Sequence, residues 1–238
     1  MNMGRISAIF IKEAQDIRTN MNLLLMFVIP VLLTLVYKNF IPEMPDGFAL
    51  GMGLLFLATL VGMYVPAMTI AEEKEKRTLE VLTLSPAKPA EVFVGKGLLT
   101  FVSVLLTMVV LLLVVGSEAG TLPVIVVGMT LTAVVCIFIG MLIGLLSQNQ
   151  MATGVVGMPV YMVFMLVPLL ASHEPQDFIG TLAGFLPTHH FFQMLRLTLD
   201  EGQGLAQMGP QLAFLSASIL VAFLLLMVVY RRKGLEQS

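Results

Sequence analysis

Long uncharged, apolar runs alternate with short polar segments along this chain. The uncharged runs cover residues 19–37, 47–71, 97–117, 119–173 and 202–230. A helix rises about 1.5 Å per residue and the hydrocarbon core of a bilayer is about 30 Å thick, so about 20 apolar residues make one crossing. The pattern therefore predicts several helices that span a membrane.

The run at 119–173 is long enough for two crossings. A polar tetrapeptide, Ser147-Gln148-Asn149-Gln150, lies midway and predicts a turn between two antiparallel helices. The sequence thus predicts an all-α integral membrane protein with a single transmembrane domain over 1–238. Its six transmembrane helices are expected at 22–38, 49–70, 97–116, 122–146, 153–171 and 209–230.

The segment before the first span has the pattern of an amphipathic helix. Within 1–21, Ile6, Ile9 and Phe10 recur at helical spacing. Polar residues such as Arg5 and Lys12 occupy much of the remainder. Such a helix is expected to lie along the membrane interface. A helix that only anchors the terminus explains the same pattern equally well.

Two short apolar stripes follow the fifth span, within 176–200. They meet at Pro187, and each is too short to cross a bilayer. The stripes therefore predict a pair of outer helices that cap the bundle between the fifth and sixth spans. His189 and His190 lie in this segment, but adjacent residues of a helix point about 100° apart, so we expect no metal site.

The basic residues predict which side of the membrane holds each end of the spans. If the chain crosses the membrane six times, all Lys and Arg residues except Lys38 and Arg196 lie on the same side as both termini. Lys and Arg are kept preferentially on the cytoplasmic side. We therefore expect both termini to be cytoplasmic, together with the loop 71–96 between the second and third spans.

Composition narrows the class of function. Hydrophobic residues make up 58% of the chain and charged residues 12%, with a mean hydropathy of +0.95, which excludes an ordinary soluble domain. The net charge of −2 gives no sign of nucleic-acid binding. Because a charge in the middle of a bilayer is costly, the uncharged span cores also argue against a proton relay or an ion-coupled carrier.

One dense patch of charge, residues 71–86, follows the second span. Glu72 and Lys76 form an i,i+4 pair in the favourable order, and Glu73 and Arg77 form another. Each such pair stabilises an exposed helix by about 0.2–0.5 kcal/mol. The pattern predicts a short rigid helix tied to two spans, so that a force on it would tilt both. A solvated loop with no further role is the other interpretation.

The charged patch resembles a known family signature. The residues Glu72-x-Lys74-Glu75-Lys76-Arg77-Thr78-Leu79-Glu80-Val81-Leu82-x-x-Ser85-Pro86, followed by Gly95-Lys96, resemble the coupling loop of ABC-2 type transporter permeases, the transmembrane subunits of type-2 ABC exporters. The order of elements is also similar along the whole chain: an entry helix, six spans, a charged loop after the second span and outer helices after the fifth.

The resemblance implies a partner and a role for the patch. In that family the loop forms a cytoplasmic coupling helix that docks on a separate ABC ATPase subunit, which uses ATP and Mg²⁺. A second permease copy or a paralogue would complete a 2+2 complex in the cytoplasmic (inner) membrane of a prokaryote. The residues assigned to ATPase coupling in this way are Glu72, Glu73, Lys76, Arg77, Thr78, Leu79, Glu80, Leu82, Ser85 and Pro86.

The chain shows no nucleotide site of its own. Gly95-Lys96-Gly97 is the nearest match to a phosphate-binding loop, but it lacks both the earlier glycine and the Ser or Thr that should follow the lysine. The spans also hold no paired carboxylates. We therefore expect no enzymatic activity and no bound cofactor in this chain, with ATP hydrolysed by the partner.

The second and fifth spans are rich in methionine, of which the chain has 18. Methionine is flexible and polarizable, so it suits a pathway for varied hydrophobic or amphiphilic cargo such as a drug, a peptide antibiotic or a lipid-like molecule. Ordinary packed or lipid-facing side chains explain the same residues. The predicted pathway residues are Met63, Tyr64, Met68, Met158, Tyr161, Met162 and Met165.

Prolines and glycines inside the spans predict local features of the bundle. Pro66, Pro159 and Pro168 remove backbone donors, so kinks are expected there. Gly140 and Gly144 form a Gly-x-x-x-Gly pattern that allows close approach of another helix. Neither feature distinguishes a transporter from a non-transporting membrane scaffold or an immunity protein, which stays open as the alternative function. An ATPase partner would decide between them.

Overall fold

The computed structural model describes residues 3–41, 46–76, 89–171 and 178–235, and within these ranges it contains helices and no strand. The predicted all-α class is confirmed. A π-helix, Leu57–Tyr64, joins the α-helices Asp46–Phe56 and Val65–Glu75, and a 3-10 turn, Leu205–Gln207, precedes the last α-helix. The α-helices are α1 (Met3–Thr19), α2 (Met21–Phe40), α3 (Asp46–Phe56), α4 (Val65–Glu75), α5 (Pro89–Val115), α6 (Leu122–Leu146), α7 (Gln150–Ala171), α8 (Phe178–Ala183), α9 (Pro187–Glu201) and α10 (Gly209–Leu235).

Six helical segments of the described ranges are long and apolar enough to cross a membrane, in agreement with the predicted number. The first to sixth spans are Met21–Phe40, Gly47–Glu75, Ala90–Val115, Leu122–Leu146, Gln150–Ala171 and Gly209–Arg232. The helix of the third span begins at Pro89, before the predicted start at 97, because proline fits a first helical turn, which needs no amide donor. The fifth begins before 153 because the Asn149 side chain accepts a hydrogen bond from the Ala152 amide at 2.8 Å and caps the helix.

The second span is the centre of the bundle. Of its most apolar stretch 78% is buried inside the protein, against 17% for the first and sixth spans and 22% for the fifth. The side chains of Leu54, Leu57 and Val61 lie in the middle of the core. The first, fifth and sixth spans therefore present most of their surface outward, to lipid or to another protein.

The fourth span packs against the second at two glycines. A Cβ atom placed on Gly140 would lie 2.1 Å from the carbonyl oxygen of Met63, and one on Gly144 would lie 2.6 Å from that of Ala67. Real side chains cannot approach a backbone so closely, so only glycine fits at either position. The Gly-x-x-x-Gly pattern thus lets the fourth span touch the backbone of the central helix.

The three prolines at which kinks are expected differ in their effect. Directly before Pro66 the second span is π-helical over Leu57–Tyr64, a rare helix form that often occurs at functional sites. Proline has no amide donor, so the α-helical hydrogen-bond ladder is interrupted at this point. By contrast, α7 stays α-helical through Pro159 and Pro168, although each proline removes one amide donor from its hydrogen-bond ladder.

The segment after the fifth span forms α8 and α9 at the end of the bundle away from α1. Both helices are too short to cross a bilayer. Two phenylalanines of α9 fit against glycines of neighbouring spans: a Cβ atom on Gly128 would lie 2.8 Å from the Phe191 ring, and one on Gly51 would lie 2.9 Å from the Phe192 ring. Both rings are buried, so α9 is anchored in the second and fourth spans.

Candidate functional site

Four charged side chains meet where α1, the second span and the third span converge. The Lys96 ammonium lies 2.6 Å from Glu13 Oε1 and 3.1 Å from Glu73 Oε1. The Lys12 ammonium lies 3.0 Å from the same Glu73 oxygen and 3.3 Å from Glu13 Oε1. We call Lys12, Glu13, Glu73 and Lys96 the charged cluster, and the end of the bundle that holds it the charged end. One carboxylate and one ammonium come from α1, the others from two different spans.

Burial makes the charged cluster a strong constraint on the three helices. The side chains of Lys96, Glu13 and Glu73 are 3%, 5% and 6% exposed. Taking a charge out of water costs several kcal/mol unless partners compensate for it. Here two positive groups face two negative ones, and Lys96 also donates to the Thr69 carbonyl at 3.4 Å. Any movement that separates α1 from either span would leave a buried charge without its partner.

Lys12 closes the cluster on the side that faces water. Its side chain is 58% exposed, and it also lies 3.6 Å from Asp16. Burial alone lowers the pKa of Lys12, but the hydrogen bond to Glu73 and the charges of Glu13 and Glu73 outweigh it, so the pKa is raised above its ordinary value. Lys12 therefore stays charged throughout the physiological range beside the two glutamates of the cluster.

A glycine brings α1 close enough for the cluster to form. A Cβ atom on Gly95 would lie 2.7 Å from Ile9 Cγ2, and 3.5 Å from the Ile6 carbonyl oxygen. Gly95 thus allows α1 to pack directly on the third span, and the next residue, Lys96, supplies the ammonium that the two glutamates share. In the sequence, Gly95-Lys96 stood out only as part of the family resemblance. The structure shows that the glycine allows the helix contact and that the lysine forms the buried ion pairs.

The end of the second span is also fixed to the turn between the fourth and fifth spans. The Lys74 ammonium donates to the carbonyl of Leu145, at 2.9 Å, and to that of Ser147. A carboxylate oxygen of Glu75 accepts a hydrogen bond from the Gln150 amide at 3.1 Å. These carbonyls and this amide are groups that helix ends leave without partners, and each receives a charge of the favourable sign. Consecutive residues of the second span therefore contact α1 and three other spans.

The predicted coupling residues fall partly within the described ranges. Glu72 and Lys76 form the predicted pair at 2.5 Å, and the hydrogen bond to Glu72 raises the pKa of Lys76. Both are accessible, whereas Glu73 turns inward to the charged cluster. The other coupling residues lie outside the described residues: Arg77, Thr78, Leu79, Glu80, Leu82, Ser85 and Pro86.

Two of the predicted pathway residues, one from the second span and one from the fifth, are in contact. The rings of Tyr64 and Tyr161 meet edge to face, with centroids 5.5 Å apart. Around this contact Met158 and Met162 point outward, 58% and 44% exposed. Met165 is partly exposed. Met63 and Met68 are buried inside the protomer. The residues that reach the outer surface therefore belong to the fifth span.

Sequence reasoning missed the inward role of Glu13 and Lys96, although Glu13 carried a signal. It lies on the same helical stripe as Ile6, Phe10 and Ile17, the stripe that packs against the protein. A charged residue on the apolar stripe of an amphipathic helix indicates a buried ion pair. The partner could not be identified, because Lys96 follows 83 residues later.

Comparison with known proteins agrees with the family that the sequence resembles. A family model described as ABC-2 family transporter protein matches residues 46–228, from the start of the second span to near the end of the sixth. Glu73 and Lys96 lie within the match, whereas α1 precedes it. No individual curated protein matches the chain. Since the match covers well over half of the sequence, the chain belongs to the ABC-2 family of transporter proteins.

Proposed function

We propose that this chain is the permease subunit of an ATP-driven exporter in the cytoplasmic membrane of a prokaryote. Membership of the ABC-2 family supports a transport role and association with an ABC ATPase subunit. In the proposed complex two permease chains, identical or related, form the pathway, and two separate ATPase subunits bind ATP and Mg²⁺. Both termini and the charged end face the cytoplasm.

The observation that carries this proposal is the set of contacts at the end of the second span. The segment assigned to ATPase docking begins at Glu72, and most of it follows Lys76. At its start, Glu73 binds α1 and the third span, Lys74 binds the fourth span, and Glu75 binds the start of the fifth. Movement of the docking segment would therefore be transmitted to α1, to the second span itself, and to the third, fourth and fifth spans. A loop that served only as a connection would not require these contacts.

The contacts of Lys38 favour the proposed orientation. Lys38 is one of two basic residues placed on the outer side, against the general trend. Its ammonium donates to the carbonyls of Val114 and Val115, at 3.1 and 2.7 Å, at the C-terminal end of the third span. A cation at that position is stabilised by the helix dipole and by the carbonyls that lack helical donors. A local structural role thus accounts for its position on the outer side.

For the cargo we propose a hydrophobic or amphiphilic molecule, such as a drug, a peptide antibiotic or a lipid-like compound. The outward methionines Met158 and Met162 support a pathway between two copies along the fifth span, next to the Tyr64–Tyr161 contact. Once a substrate is identified, replacing Met158 and Tyr161 by alanine should change its transport. Replacing Leu224, an exposed residue of the sixth span, is the control. If the alanine variants of Met158 and Tyr161 transport every identified substrate as the wild type does, this pathway is rejected.

The composition of the complex is the most direct test. The chain would be isolated from its native host in mild detergent, and the intact complex weighed by mass spectrometry. Two permease chains together with two subunits that carry a phosphate-binding loop would support the exporter. A chain that travels alone, or with a partner lacking that loop, would instead favour a non-transporting scaffold or an immunity protein.

A further inference from the structure

An apolar groove lies on the outside of the bundle, between the third, fourth and sixth spans. Its volume is about 540 Å³, within the range of sites that hold small organic ligands. The surface is almost entirely carbon, and aromatic rings make up much of it. Representative lining residues are Phe93, Gly97, Phe138, Phe223, Met227 and Tyr230.

One end of the groove, which we call its mouth, lies towards the charged end of the bundle. Phe93 belongs to the first turns of the third span and Tyr230 to the last turns of the sixth, and their rings meet edge to face with centroids 5.3 Å apart. Farther from the charged end, Phe138 and Phe223 meet at 5.7 Å. Two aromatic pairs thus bridge the groove at different depths along the membrane normal, with space for an elongated apolar group between the helices.

Positive charge follows directly at the mouth of the groove. Arg231 and Arg232 come after Tyr230, both are exposed, and none of the described carboxylates forms an ion pair with either. Arg231 is four residues beyond Met227, which lines the groove, so the two side chains lie on the same helix face one turn apart. Tyrosine and arginine at this depth are typical of contacts with lipid headgroups.

We infer that the groove binds an acyl chain of an anionic phospholipid whose phosphate lies at Arg231. A guanidinium can hold a phosphate with two parallel hydrogen bonds, which a lysine cannot. An uncharged lipid would fill the apolar part but leave Arg231 without a partner. A second copy of the chain, whose described face here is apolar, would have to bury that arginine. The combination of a carbon-lined groove with a basic mouth therefore fits an anionic lipid best.

The chain has no tryptophan, so a single introduced tryptophan reports on one place only. The Phe223→Trp variant would be reconstituted in phosphatidylcholine vesicles that contain increasing fractions of brominated phosphatidylglycerol or brominated phosphatidylcholine, and the quenching of fluorescence measured. Leu225→Trp, on the same helix and 51% exposed but outside the groove lining, is the matched control. Met227→Trp serves as a second groove reporter if Phe223→Trp does not fold.

The groove tryptophan should be half-quenched at about a fivefold lower fraction of brominated phosphatidylglycerol than of brominated phosphatidylcholine. The Leu225→Trp control should respond to both lipids alike. Adding Arg231→Gln to Phe223→Trp should remove the preference.

Equal quenching by both lipids in the groove variant would overturn the inference, since the groove would hold only bulk lipid. Absence of quenching there, with normal quenching of the control, would also overturn it and indicate protein or cargo in the groove. A preference that survives Arg231→Gln would refute the proposed headgroup contact.

Discussion

The hydroxyl of Thr188, in the first turn of α9, donates a hydrogen bond to the backbone carbonyl of Phe164 at 2.6 Å. Phe164 lies four residues before Pro168 in the fifth span. Because proline has no amide hydrogen, the Phe164 carbonyl lacks the donor that an α-helix normally supplies. The hydroxyl replaces that donor, so the outer helix is fixed to the fifth span at the point where its hydrogen-bond ladder is interrupted.

Thr188→Val should destabilise the protein by about 1–3 kcal/mol, because it keeps the shape of the side chain and leaves a buried carbonyl without a donor. Thr188→Ser retains the hydroxyl and should stay much closer to the wild type. Thermal unfolding in detergent, followed by circular dichroism, measures the difference. Equal melting temperatures for the valine variant and the wild type would show that the bond contributes nothing.

Glu73→Gln should be strongly destabilising, because it leaves Lys96 and Lys12 with a single carboxylate. Removing one partner of a buried ion pair typically costs about 3–5 kcal/mol. Glu72→Gln, at the neighbouring accessible position, removes only an i,i+4 pair and should cost about 0.5 kcal/mol or less. Size-exclusion chromatography after heating measures the fraction of protein that stays monodisperse. This fraction should be much lower for Glu73→Gln than for Glu72→Gln. Similar losses in both variants would contradict the assigned role of the charged cluster.

Gly140→Ala should disrupt the contact between the second and fourth spans. The added methyl group would meet the Met63 carbonyl, and such overpacking typically costs about 1–3 kcal/mol. Gly154→Ala is the matched control, because a Cβ atom there meets no atom within 4 Å. Alanine favours a helix over glycine, so the control should be neutral or slightly stabilising. Unfolding in denaturant compares them, and equal stability of the two variants would argue against the observed helix contact.

Stability should fall as the pH is lowered from 6.5 towards 4. Burial, with the charges of His190 and Arg196, lowers the pKa of His189 to about 4. The unfolded chain takes up a proton near pH 6.5, which the folded protein does not, so the free energy of unfolding should decline by up to about 1 kcal/mol per pH unit in this window. His189→Gln should flatten the decline in melting temperature. The same slope in variant and wild type would exclude His189 as its origin.

Leu82→Asp should leave the chain folded and inserted but separate ATP hydrolysis from transport, or release the ATPase, because it places a charge in the segment proposed to dock. Gln148→Asp adds a charge to the same side of the membrane, in the turn between the fourth and fifth spans, and should keep the partner bound. Co-purification of the ATPase with each variant is the readout. Normal transport in Leu82→Asp would reject the coupling assignment.

The number of spans could be predicted because each crossing depends on local properties of the sequence. About 20 consecutive apolar residues suffice to specify a crossing, and the pairing of Glu72 with Lys76 follows from helical spacing. The polar turn at 147–150 divided the long apolar run correctly. These features require no knowledge of which helix packs against which.

The interior of the site could not be predicted for the opposite reason. The predicted partner of Glu73, Arg77, lies outside the described residues, and helical spacing gives no sign that Glu73 also contacts Lys12 and Lys96 on other helices. In the spans every face is apolar, so periodicity does not show that Met63 is buried while Met158 is exposed.

The pairing of Glu13 with Lys96 also sets an order of events during synthesis. The two residues are 83 positions apart, so at about 5–20 residues per second the ribosome needs about 4–17 s to add the lysine after the glutamate. During that interval the rest of α1 and the first two spans are made while Glu13 and Glu73 lack the buried one of the two cations that they share, Lys96. The buried ion pairs that hold α1 against the second and third spans can form only after the start of the third span has been made. The synthesis of Lys96 therefore marks the point at which α1 and the first three spans can assemble.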